Sequence, residues 1–584
     1  MTIYLVNLAV ILVLGAISYF KFPNSRSIKI GYLLICSACL IFIGGWRYGI
    51  GFDYYQYLTI FEDICSKSWS ELGSAYGEMG FKIFAKLLSL FTQDGQMLYV
   101  ATNVMMVGIV MVLIYRYSSI PFISVFLFVV LKFFYTGMNL VRYAMAIIIC
   151  LAAYTFLRRS TMDYTKENRT PKAILRDLLT HFLPYAIIIL IATSFHKSAL
   201  IMLPVYFIVK LPLNKITGSI YGALGVVALL LLSPVVQFFS EQLFNSFYSG
   251  DNLYTRPGGV GYVFIPAIIL TLVCLFQKKL LKRDPSHIVL INMSLYSAIV
   301  FFLAAFGAFI MTRVASFFYI FSIFLVPELL TCLRPAQQDL DRMAEIKREM
   351  KDANRNQKNK LAKENAELST KTRDYRTYYA FGLGFSIVLG FLLQMQQAAA
   401  GDHEVFPYMS VIPQVNTINQ LNFNNDREKK KDMLLLSNTV DRCMWEASDE
   451  DYILFMVFRG DGTQYLRQWN MARFEQLGLT EDLIGKRNWS YVAAVNGGQA
   501  VYEELSQELI EVTLEIEGLE VRLISAGLDV GDTCSIMING TEYAMNGFGT
   551  NLVVYDKVLE TVVDSVSFLP KRTKYDSSYI NRGE

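Results

Sequence analysis

Long apolar runs separated by short polar connections fill the first 400 residues of the chain. A helix that crosses a bilayer needs about 20 predominantly apolar residues. On that measure the pattern predicts twelve spans, at 2–20, 29–46, 97–115, 120–136, 139–157, 178–194, 197–210, 217–236, 260–276, 286–306, 310–332 and 377–395. The first run has no basic n-region and no small-residue cleavage site, so it reads as a retained helix rather than a signal peptide. Beyond residue 400 the rhythm changes. DYILFMVFRG (451–460) and WSYVAAVNGG (489–498) read as strands, and QYLRQWNMARFEQLGL (464–479) has helical spacing. From 519 to 570 apolar and polar residues alternate, with turns at GLDVGD, NGTE and NGFG. The fold class expected is a polytopic α-helical membrane protein of about twelve spans, followed by an α+β or curved β-sandwich domain.

Three divisions follow. Residues 1–400 form the membrane part, 401–440 a linker rich in Asn and charge, and 441–584 the C-terminal domain. Within the first, 334–376 is charged and nearly free of apolar residues. It reads as a solvated helix or helical hairpin, because the a and d positions of a coiled coil are missing.

Charge sharpens the division. The chain has 584 residues and a net charge of +3, but residues 1–400 carry +16 and residues 401–584 carry −13. Only 18% of residues are charged and mean hydropathy is +0.36, which excludes a wholly soluble protein. Of the 37 Lys and Arg up to residue 400, 28 lie in 21–29, 116–119, 158–177, 210–216, 277–285 and 334–376. The positive-inside rule makes these loops cytoplasmic and puts both termini, with the acidic domain, outside. Nothing in this balance points to a nucleic-acid partner. Cys36 and Cys39 fall inside an apolar run and read as buried small residues. Cys443 and Cys534 lie in the exported part, where a disulfide is chemically permitted and sequence leaves the pairing open.

The few outward charges carry the candidate chemistry. Arg47, Asp53, Glu78, Arg142, His196 and Arg313 fall at or near outer helix ends, and ionisable groups at membrane depth usually mark function. WRYGIGFDYYQY (46–57) has glycines for a tight path, flanked by Arg47 and Asp53 and followed by Tyr54, Tyr55 and Tyr57. That order suits an anionic group beside a sugar, since Arg binds phosphate oxygens bidentately and rings stack on pyranose faces. GEMGFKIFAKLLSLF (77–91) is amphipathic and too short to span, so an interfacial or re-entrant helix is expected. Asn139 and Arg142, three apart in MNLVRYAMA, share a helical face.

These segments resemble a known family. RYGIGFDYYQY, GEMGF, NLVRYAMA, FHKSAL, TRVASFFYIFSIFLVP and VFPY (405–408) occur in the order seen in the EpsG family of Wzy-like exopolysaccharide polymerases. The resemblance spans about residues 1–410. The family usually has Asn-x-x-Arg-Gln, and here Tyr143 stands in place of Gln. The resemblance implies that undecaprenyl-diphosphate-linked glycans, as donor and acceptor, are joined at the outer leaflet, alongside membrane lipid and other polysaccharide-assembly proteins. It also implies that Arg47, Arg142 and Arg313 bind the leaving diphosphate, that Asp53, His196 or Glu78 acts as base, and that Tyr54 and Asn139 orient sugars. No metal-ligand cluster stands out, so neither metal nor cofactor is expected. Residues 440–570 resemble the interleukin-like EMT inducer domain, through EVRLISAGLDVGD, SIMINGTEYAMNGFGTNLVVYD and VVDSVSF. That implies glycan recognition or scaffolding, with Trp489, Tyr491, Asn546 and Asn551 as candidate contacts. Two other classes stay open. A lipid-linked-glycan flippase would line a cavity with cations through the membrane depth and show an internal repeat. A glycan sensor would carry a degenerate polymerase body, at which Tyr143 hints.

Overall fold

The computed structural model describes residues 2–51, 53–160, 170–243, 257–352, 355–399, 408, 410, 431, 434–435, 440–463, 466, 471, 474–568 and 580–582. Most of the 401–440 linker and part of the 464–479 helix therefore lie outside the described residues. The chain divides into two units. One comprises Met1–Gly45, Thr102–Gly250 and Tyr254–Phe406, and the other Trp46–Ala101, Asp251–Leu253 and Pro407–Glu584.

Helices dominate the first unit. Among the described residues eight helices are long and apolar enough to span: Thr2–Lys21, Arg26–Gly45, Gly95–Tyr117, Val141–Arg159, Pro171–Phe195, Gly261–Arg283, Pro285–Phe306 and Gln357–Ala399. Two bent pairs, Pro121–Val130 with Phe133–Asn139 and Met311–Tyr319 with Ser322–Thr331, raise the number to ten. The other two expected spans are shorter apolar helices, Lys197–Ile208 and Lys215–Leu231. Apolar runs alone cannot see such breaks. At the first bend Lys132 adopts φ 73°, a left-handed conformation that stops the helix, and the axis turns by 45°. Close packing relies on missing side chains, as lipid-embedded helices commonly do. A Cβ on Gly15 would lie 2.2 Å from Phe122, and one on Gly390 would lie 2.3 Å from the Phe126 ring. The charged segment forms Gln337–Asp352 and the start of Arg355–Ala399. Arg342 joins them through Glu364, and Lys371 pairs with Asp339.

The second unit contains three helices used below, α1 (Tyr54–Ser66), α2 (Met79–Ser89) and α3 (Val440–Glu446). Among the described residues its strands are β1 (Tyr452–Arg459), β2 (Ser490–Asn496), β3 (Gln499–Ser506), β4 (Ile510–Ile516), β5 (Leu519–Ser525), β6 (Cys534–Ile538), β7 (Thr541–Glu542), β8 (Gly549–Asp556), β9 (Thr561–Phe568) and β10 (Ile580–Arg582). They form a six-stranded antiparallel sheet, in the order β10-β9-β8-β1-β2-β3, and a four-stranded sheet, β4-β5-β6-β7. Alternation along β1 feeds two cores. Ile453, Phe455 and Val457 pack against Val521, Leu523 and Ile536 of the smaller sheet. Tyr452, Leu454, Met456 and Phe458 face the other way, onto Cys443, Met444, Phe474 and Leu477. A sandwich with one helical flank results. Cys443 belongs to one core and Cys534 to the other, on opposite faces of the large sheet, so the two thiols do not form a disulfide.

Candidate functional site

The charged groups singled out in the sequence fall in both units: Arg47, Asp53 and Glu78 in the second, and Arg142, His196 and Arg313 in the first.

In the second unit the glycine path does what its composition requires. Gly49 and Gly51 take φ of 60° and 99°, conformations that side chains disfavour. The chain reverses there and starts α1, with Asp53 half-buried at its N-cap position. Arg47, just before the turn, is fully buried. Its guanidinium lies 4.0 Å from the centroid of the Tyr99 ring and 5.8 Å from that of Tyr54. Those two rings stack on each other at 4.7 Å. A buried cation over aromatic faces gains more than an exposed one, because little water competes for it. Gln96 ties the cluster together: its side-chain amide donates to the Arg47 carbonyl, and its carbonyl accepts from the Tyr54 hydroxyl at 2.9 Å. Arg47 also pairs through its backbone with Ser410, whose hydroxyl donates to the Trp46 carbonyl.

The C-terminal part of the chain contributes a carboxylate here. Glu446, at the end of α3, accepts from the Tyr55 hydroxyl at 2.5 Å and from Tyr48 at 3.4 Å. Trp445 packs against the Tyr55 ring at 5.7 Å. Burial pushes the Tyr54 hydroxyl well above its ordinary pKa, against the pull of the Arg47 guanidinium. It pushes Tyr408 up to about 12, with Ser410 and Arg47 opposing. Both phenols are therefore neutral hydrogen-bonding groups at any physiological pH.

Glu78 occupies the N-cap position of α2, half-buried and within electrostatic reach of Lys82.

In the first unit three elements bring cations around one imidazole. Asn139 ends one helix and is buried, and Leu140 breaks the helical path. Arg142 lies in the first turn of the next helix. His196 ends the span Pro171–Phe195, and Arg313 lies in the first turn of Met311–Tyr319. Tyr143 connects them: its hydroxyl donates to the Arg313 carbonyl at 2.6 Å, and its ring meets the His196 ring edge-on at 5.4 Å. The departure at this position thus fills a structural role between two of the candidates. Burial first, and then the Arg142 and Arg313 charges, push His196 down to about 3, so the ring stays neutral. Its Nδ1 accepts from the backbone N–H of Ser198 and contacts the Ser198 hydroxyl at 2.7 Å. That places the single ring proton on Nε2, which makes His196 a hydrogen-bond donor there rather than a base.

The four sugar-contact candidates of the C-terminal domain separate by burial. Tyr491 is fully buried between Phe458 and Phe474, and its hydroxyl donates to Glu503. Asn551 is fully buried too, and its side chain binds the backbone N–H and carbonyl of Gly547. Both are spent on the fold, which corrects their reading as ligand contacts. Trp489 is partly exposed beneath Lys486, whose ammonium lies 4.5 Å from the ring centroid, and Asn546 is exposed in a left-handed turn. Among the described residues no cluster of His, Cys, Asp and Glu could hold a metal ion.

Local sequence pattern missed Gln96, Tyr99, Ser410, Trp445 and Glu446. Their only signal was distance: they come from three segments far apart in the chain. Tyr408 was flagged, through the VFPY motif.

No curated protein and no solved structure matches the chain. The model of the EpsG family matches residues 29–339, a stretch that includes the glycine path, both helical arginines and the His196 junction. By that match over more than half its length, the chain is a multi-pass membrane protein that belongs to the EpsG family.

Proposed function

We propose that this protein is a membrane glycan polymerase that joins repeats carried on undecaprenyl diphosphate at the outer face of the cytoplasmic membrane. Family membership supports the polymerase role. The observation that carries the finer reading is the gathering of Arg142, Arg313 and a neutral imidazole around Tyr143. Cations beside a fixed neutral donor suit the developing charge of a departing diphosphate.

In the reaction an acceptor sugar hydroxyl attacks the anomeric carbon of the donor. A new glycosidic C–O bond forms, and the bond to phosphate oxygen breaks with its electron pair leaving on the lipid diphosphate. The hydroxyl proton passes to a carboxylate. Asp53 is the first candidate for that base, Glu78 the second and Glu446 a third, already holding two phenol hydroxyls. Arg142 and Arg313 neutralise the leaving group, Arg47 is the candidate cation of the second unit, and His196 donates through Nε2 to a phosphate or sugar oxygen. Tyr54 and Asn139 orient the sugars. The C-terminal domain, outside the membrane, takes the accessory role of glycan recognition or scaffolding through exposed groups such as Trp489 and Asn546.

The test is reconstitution. Purified full-length protein in proteoliposomes, given a synthetic lipid-diphosphate-linked repeat, should yield a ladder of products spaced by one repeat. Absence of any ladder, with the substrate shown to be bound, would overturn the enzymatic reading.

A further inference from the structure

Helix α2 buries charge and exposes leucine. Lys82 and Lys86, one turn apart, are 5% and 8% exposed beside fully buried Phe81 and Ala85, while Met79, Ile83, Leu87 and Leu90 on the adjoining stripe are 41–61% exposed. Phe91, next in the chain, is 88% exposed, and Trp69 in the preceding loop is 50% exposed. A helix in water turns its lysines out and its leucines in. Here the lysines have a definite task inside. Lys82 donates to the carbonyls of Gly73 and Ala75. Lys86 donates to those of Ile64, Cys65 and Lys67, at the C-terminal end of α1, where helix carbonyls lack partners and the dipole favours a cation. The face of α2 that carries Phe81, Ala85 and the two lysines is thereby locked onto the end of α1 and the loop after it, and the exposed apolar stripe has to meet something other than water.

We propose that this face rests in a bilayer leaflet, so that α2 is a lipid-contacting strut that fixes the height of α1 and of the tyrosines at its start. Position commits the occupant. Only residues 90–94 separate α2 from the span that begins at Gly95, a tether of at most about 18 Å when fully extended. Continuity with a span keeps the stripe at the membrane surface, and an exposed Trp in the preceding loop suits the interfacial belt. The length of α2, 11 residues, is too short to cross but enough to lie in the interface. This inference concerns lipid contact alone and does not rest on the polymerase reading.

The experiment places a photoreactive benzophenone amino acid at 83, 87 or 91 of the full chain, with buried Leu72 as control position. Each variant is reconstituted in vesicles of phosphatidylethanolamine and phosphatidylglycerol, irradiated and digested for mass spectrometry. Lipid-mass adducts at 83, 87 and 91, and none at 72, are expected. Adducts to a second copy or to another segment of the chain would assign the face to protein and overturn the proposal, as would irradiated peptides without lipid.

Discussion

Replacing Lys86 by Met keeps the length and apolar stem of the side chain but removes the ammonium that closes the end of α1. Three carbonyls lose a charged donor. A hydrogen bond to a charged group contributes about 1.5 kcal/mol at the low end, so the gross loss is about 4.5 kcal/mol. Removing a nearly buried ammonium returns part of its desolvation cost, about 1–2 kcal/mol in a site this polar. The net is a local destabilisation of about 3 kcal/mol, which corresponds to roughly a hundredfold in the opening equilibrium. Hydrogen exchange reads this directly, because local openings report their own free energy. In the full-length protein in lipid, amides over residues 60–67 should exchange about a hundredfold faster in Lys86→Met. Amides of β1 and β8 should be unaffected. A change of less than about threefold over 60–67, under 1 kcal/mol, would show that water or another donor serves these carbonyls and would refute the capping argument.

Four further outcomes are expected. Arg47→Ala should abolish chain growth with membrane insertion intact, and Arg47→Lys should lose about two orders of magnitude in rate, since an ammonium cannot reproduce the planar fork; ladder assays on inserted protein check both. His196→Gln, whose amide can donate as Nε2 does, should retain more activity than His196→Ala. Between pH 3 and 6.5 the unfolded chain binds a proton that the folded His196 ring refuses, so this residue's contribution to stability should fall as pH drops through that window, measured as a shift in the wild-type thermal unfolding curve that His196→Gln lacks. Alkylation of the denatured, unreduced protein should add eight labels by intact mass, and a count of six would place a disulfide that the two-core arrangement forbids.

Much of the fold was readable because apolar runs and alternation report directly on burial. The breaks were not: residues 120–136 look like one uninterrupted run, and only the left-handed turn at Lys132 divides it. In the C-terminal domain, alternation from 519 onward announced strands, but a strand buried on both faces gives no sign of which polar groups reach solvent. Tyr491 and Asn551 were misjudged for that reason. Arg142, Arg313 and His196 were legible as rare charges at helix ends. The groups that surround Arg47 were not, since Tyr99 and Glu446 approach it or its neighbours from about 50 and 400 positions away.

The strand order of the large sheet also governs how this protein must be made. β1 opens with seven consecutive apolar residues, YILFMVF, and it sits at the centre of the sheet between β2 and β8. β2 leaves the ribosome about 40 residues after β1, but β8 follows only ~100 residues after it, roughly 5–20 s later at ordinary synthesis rates. Throughout that interval one edge of the stickiest segment in the domain has no neighbour. A nascent chain in this state invites chaperone binding before it can close. Mutations that weaken β8 should therefore appear first as lost yield in membranes, with the molecules that do mature behaving normally.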